Sequence, residues 1–162
     1  MSIINKASFT KFLVFLSATS ATMTLASCQP VQLNERNAIS RRIIHEIKSS
    51  SDLDVQADRS RDLFYHVKGQ ECNDIDKGTI DELTSLLRIR HDGVRYWAAR
   101  SLGQMDPCAR SAAHELKLIV PEADCWPGGL TSAPEIRATL TKFGEPPIRE
   151  TICTGYGQGY SS

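Results

Sequence analysis

The chain has 162 residues, with 19 basic and 19 acidic side chains and a formal net charge of zero. That balance lacks the basic excess of a nucleic-acid binder, and the length suits one folded domain.

Lys6 and Lys11 give the first 27 residues a cationic start, with no acid before Cys28. An apolar run at 12–16 follows and is then diluted by Ser, Ala and Thr. A membrane-spanning helix needs ~20 mostly apolar residues, so this segment reads as an export signal. Its end, Leu25-Ala26-Ser27-Cys28, resembles the lipobox of bacterial lipoproteins. The resemblance implies a diacylglyceryl thioether on Cys28, cleavage before it, and acylation (palmitate, for instance) of the new amino group. Several acyl chains anchor stably where one does not. Gln29 rather than Asp at the next position implies the outer membrane, with the domain facing the periplasm. Cleavage removes two lysines and no acid, leaving 135 residues at net −2. Residues 28–33 are then a lipidated tether, 34–153 the folded domain, and the Gly- and Ser-rich 154–162 a mobile tail. Tyr156 and Tyr160 in that tail read as solvated.

With Cys28 carrying lipid, Cys72, Cys108, Cys125 and Cys153 remain. An even number in an exported chain reads as two disulfides, with three connectivities open. No Cys-x-x-Cys pair occurs, so a zinc site is not expected.

From Asn34 onward the apolar period is helical. Ile39, Ile43, Ile44 and Ile47 share a face, opposite Arg41, Arg42, Glu46 and Lys48, and three serines at 49–51 break the helix. Leu63, Phe64 and Val67 mark a second helix ending near Gly69. Thr79 and Glu82 have capping-box spacing ahead of a stripe of Ile80, Leu83, Leu86 and Leu87. Asp92 is placed to cap a fourth helix, with Val94, Trp97, Ala98, Leu102 and Met105 inward. Asp106-Pro107 reads as N-cap and first helical residue of a fifth, ended by Pro121. Ser132 and Glu135 repeat the capping-box spacing before a sixth, with Ile136, Leu140 and Phe143 inward and Gly144 as its stop. No strand alternation is found.

The segment IDELTSLLRIRHDGVRYWAARSLGQMDPCARSAAHELKLIV, residues 80–120, resembles a HEAT-type repeat of the PBS-lyase kind. The likeness rests on Leu83, Leu86, Leu87, Asp92, Val94, Arg95, Ala98, Ala99, Leu102 and Gly103, with a weaker second unit through Ile136-Arg137. It implies an all-α fold: a short stack of antiparallel helix pairs, about six helices in all, stapled by two disulfides. Small alanines let helices approach closely, and about three pairs are needed for a stable stack. Within that layout Cys72 and Cys108 both precede the first helix of a unit, which suggests Cys72–Cys108 and hence Cys125–Cys153.

In this repeat type Asp92 and Arg95 serve a structural ladder between turns. Trp97 lies on the apolar stripe and reads as core. Tyr96 and Arg100 face outward and belong to the residue types of binding hot spots; Trp126, beside Cys125, is a loop plug or an exposed anchor. His45, His66, His91 and His114 lie on separate elements, with no second His at zinc-protease spacing. No Gly-x-Ser-x-Gly and no phosphate loop occurs, so neither a catalytic site nor a cofactor is expected.

The function implied is a lipid-anchored, non-enzymatic protein-binding module of the bacterial cell envelope. One form of it is an immunity protein neutralising a secreted toxin that acts in the periplasm; the alternative is an accessory or assembly factor of an envelope complex. A lyase-like enzyme is the less favoured reading.

Overall fold

The computed structural model describes residues 29–127 and 131–153, with side chains from Glu35 onward. Cys28, the export segment and the tail tyrosines lie outside the described residues. Six α-helices follow in order: α1 (Gln29–Ser49), α2 (Leu53–Val67), α3 (Lys77–Ser85), α4 (Asp92–Gln104), α5 (Ala113–Asp124) and α6 (Ala133–Lys142). Short 3₁₀ turns at Cys72–Asp74, Leu86–Arg88 and Cys108–Ala112 complete the secondary structure. No strand occurs among the described residues.

Consecutive helices pair, α1 with α2, α3 with α4 and α5 with α6, through short connections that return the chain antiparallel. The second members, α2, α4 and α6, stack on one another in one layer. The other layer runs through α1, α3 and α5, joined partly by the 3₁₀ turns. The expected stripes form the core between them: Ile44 and Ile47 from α1, Leu63 and Val67 from α2, and Ile80, Leu83, Leu86 and Leu87 from the α3 segment. Val94, Ala98 and Leu102 of α4, Leu116 and Val120 of α5, and Ile136 and Leu140 of α6 extend it. Small residues set the α4–α6 approach: Ala99 is fully buried, and Thr139 Oγ1 donates to its carbonyl at 2.9 Å.

Two disulfides, Cys72–Cys108 and Cys125–Cys153, bridge Cα atoms 5.5 and 5.4 Å apart. The first ties the turn before α3 to the turn before α5. The second fastens the C-terminal segment to the end of α5. That segment forms a strap, with Ile148 packed against the core and Glu145 paired with Lys117 at 2.5 Å. Gly144 turns the chain out of α6 at φ 81°, a left-handed conformation that glycine adopts without a Cβ clash.

Helix ends depart from the expectations at several points. Helix α1 begins at Gln29, so the expected tether at 28–33 is helical for most of its length. Pro30 does not oppose this, because a first-turn residue has no intrahelical N–H bond to lose. Asp76, not Thr79, caps α3: its carboxylate accepts from the Thr79 amide at 2.7 Å, which puts Thr79 at the third helical position. Asp92 is the first residue of α4 and not its cap. Asp106 binds Arg110 at 2.7 Å while a 3₁₀ turn at Cys108–Ala112 precedes α5. Pro121 lies inside α5, which runs on to Asp124; the turn beyond is closed by Cys125 N–H to the Pro121 carbonyl. Ser132 holds the N-cap position of α6 without capping, its hydroxyl having another partner; Thr131 Oγ1 accepts from the Ala133 amide instead.

Candidate functional site

Several polar side chains bridge neighbouring pairs. Arg95 is 1% exposed. Its Nε donates to the Leu87 carbonyl at 3.1 Å and its Nη2 to Glu122 at 3.0 Å. Glu122 also receives Arg90 Nε at 3.0 Å. Burial works against ionising Glu122, yet the bonds from Arg95 and Arg90 hold its carboxyl below the ordinary value. Asp92 accepts from the Ser132 hydroxyl at 2.7 Å. Asp92 and Arg95 therefore do not bond one another; each reaches from the second pair to the third, a ladder between pairs.

At the C-terminal end Arg137 meets Asp124 at 2.5 Å and donates from Nε to the Ile148 carbonyl at 3.2 Å. Asp124 also accepts from the Thr151 amide at 2.8 Å. Burial opposes the charge, but Arg137 and the Thr151 amide keep the Asp124 carboxyl below its usual range. A cleft of about 230 Å³ opens here, lined by Asp124, Thr131, Arg137, Glu150 and Thr151 with Ala133 and Pro134. Its central pair, Arg137 and Asp124, is engaged in holding the strap, while Glu150 lies exposed on the cleft lining.

The layer of second helices carries a different arrangement. Arg100 of α4 places Cζ 5.1 Å from the Phe64 ring centre, 5.7 Å from Tyr96 and 5.6 Å from Trp97. Its Nη1 donates to the Tyr96 hydroxyl at 2.6 Å. Trp97 lies 5.4 Å from Phe64 and 6.3 Å from Tyr65, and meets Tyr96 edge-on at 5.0 Å. Tyr65 is 61% exposed at the rim. A cation seated against several rings gains about 0.5–1 kcal/mol per contact where solvent reaches it, and more when desolvated.

Of the three expected contact residues, Tyr96 and Arg100 come together here. Trp126 does not: it follows α5 in the third pair, half-buried, and makes no ring contact with them among the described residues. Trp97 is half-buried in this cluster rather than part of the core, because the core-facing positions of α4 are filled by Val94, Ala98 and Leu102. Phe64 and Tyr65 were missed as site residues. The signal for them is a pair of adjacent aromatics on α2, where a stripe alone accounts for only one.

Among the described residues no group of three or more His, Cys, Asp or Glu could hold a metal ion. None of the described helices is long and apolar enough to cross a membrane. No family model matches the chain, and no curated protein or solved structure matches it either.

Proposed function

We propose that this chain is a lipid-anchored, non-enzymatic protein-binding module of the bacterial cell envelope, and within that class an immunity protein that neutralises a toxin acting in the periplasm. The observation that carries the binding role is the aromatic and arginine surface on α2 and α4. It gathers Tyr, Trp and Arg, the residue types in which binding energy concentrates, on rigid helices. Export is supported by the sequence at 1–28 and by the two disulfides, which persist in oxidising compartments. The envelope anchor rests on Leu25-Ala26-Ser27-Cys28 alone.

Two experiments test this reading. The full chain, produced with its export segment in cells fed labelled palmitate, should acquire label and sediment with membranes; Cys28→Ala should abolish both. The mature oxidised protein should retain a single secreted protein that poisons the periplasm, and cells lacking the gene should become sensitive to their siblings. A resident envelope complex in its place would make the chain an assembly factor, and turnover of peptidoglycan by the pure protein would overturn the non-enzymatic reading.

A further inference from the structure

All twelve arginines and all 19 acidic residues lie between Glu35 and Glu150, so every possible pair of an arginine with an Asp or Glu side chain falls among residues whose side chains are described. Nine arginines have a carboxylate within 4.0 Å: Arg41, Arg42, Arg59, Arg61, Arg88, Arg90, Arg95, Arg110 and Arg137. Among the described residues Arg36, Arg100 and Arg149 have none. Arg36 and Arg149 are exposed, where water solvates the charge. Arg100 alone of the three is half-buried, with rings against it and one nitrogen committed to Tyr96.

The exception has a physical meaning. A guanidinium is a rigid fork that matches a carboxylate through two parallel hydrogen bonds. The rings immobilise it, so little further side-chain entropy is lost when a ligand arrives. They also displace part of its water without supplying the opposite charge. Next to Phe64 and Trp97, two of the rings that hold it, the exposed ring of Tyr65 offers apolar area. We infer that Arg100 is the anchor of a docking patch for a protein partner that presents an exposed Asp or Glu beside an apolar side chain, the carboxylate meeting the guanidinium and the apolar group lying on Tyr65 and Trp97. This rests on the protein-binding reading above and adds to it the class of partner.

The test uses the full mature chain, oxidised, in detergent. A displayed library of random linear peptides is selected on it, and the enriched peptides are synthesised with and without their acidic residue replaced by the amide. Binding is measured against wild type, Arg100→Gln, Tyr65→Ala and the control Arg36→Gln, each first shown to melt as wild type does. The enriched peptides should share an acid next to an apolar residue. Arg100→Gln and the acid-to-amide change should each weaken binding about tenfold or more, and together no further than either alone. Tyr65→Ala should weaken it severalfold, and Arg36→Gln should leave it unchanged. Acid-free peptides, or equal losses in Arg100→Gln and Arg36→Gln, would overturn the acidic anchor while leaving protein binding intact. A library that yields no binder would count against both.

Discussion

Gly103→Ala isolates a close approach of α4 to α6. A Cβ on Gly103 of α4 would stand 2.7 Å from Thr139 Oγ1 and 3.3 Å from its Cγ2 on α6. Thr139 is fully buried and its hydroxyl already donates to the Ala99 carbonyl. Relief requires that bond to break or the two helices to part. Overpacking costs about 1–3 kcal/mol, and the lost bond about 1 kcal/mol more. Alanine recovers about 1 kcal/mol of helix propensity, so the net destabilisation should be about 1–3 kcal/mol. Urea unfolding of the oxidised protein reads this as a lowered midpoint at unchanged slope. Thr139→Ala alone removes a methyl and a hydroxyl and should cost about 1–2 kcal/mol. In the double variant the space is restored, so Gly103→Ala should then be neutral or stabilising, a coupling of about 2 kcal/mol. A single variant more stable than wild type, or strictly additive changes, would refute the close contact as the reason for glycine here.

Arg95→Ala removes a fully buried side chain and should lower stability by about 2–4 kcal/mol, whereas Arg95→Met fills the space without the charge and should cost less than about 1 kcal/mol; urea midpoints separate the two. Glu122 and Asp124 titrate below their ordinary values of 4.5 and 3.8 in the folded chain. Their contribution is therefore complete above those values and is lost as pH falls through the lower folded ones. The melting temperature should hold steady down to pH values near 5 and then drop, less steeply in Asp124→Asn. Replacing Cys72 and Cys108 by Ser opens a link across 36 residues and should lower global stability by about 3–4 kcal/mol. The Cys125→Ser/Cys153→Ser pair should act mainly on the strap, as faster amide exchange at Thr151 with a smaller global change.

The apolar stripes made the six helices legible because burial selects period before it selects ends. Ile44 and Ile47, Leu83 and Leu87, and Ile136 and Leu140 all face the core at the spacings that mark them in the sequence. The ends were less legible because several polar residues compete for one helix start. At α3 both Asp76 and Thr79 could cap; Asp76 prevails, since Arg41 meets the same oxygen at 2.6 Å and the Thr79 amide falls within reach. At α6 the Ser132 hydroxyl is claimed by Asp92, a residue 40 positions away that local spacing does not reveal. At α5 the extra turn past Pro121 depends on tertiary partners of Asp124 and Cys125.

The proposed binding surface was half legible for a related reason. Arginine is abundant in this chain and mostly structural, so residue type distinguishes Arg100 from Arg90 or Arg95 no better than chance does. What distinguishes it is the partner it lacks, and charge pairing is a property of the folded surface. Arg88 and Glu115 are 27 positions apart and yet bond at 2.8 Å, while Arg100 and Tyr96, four apart on one helix, were foreseeable as neighbours. Phe64 completes the cluster from another helix, 36 positions before Arg100. A guanidinium held by rings on two helices and left, among the described residues, without a counter-charge is thus the product of the α2–α4 stacking, and a substitution that shifts these helices slightly should weaken the proposed peptide binding before it lowers global stability.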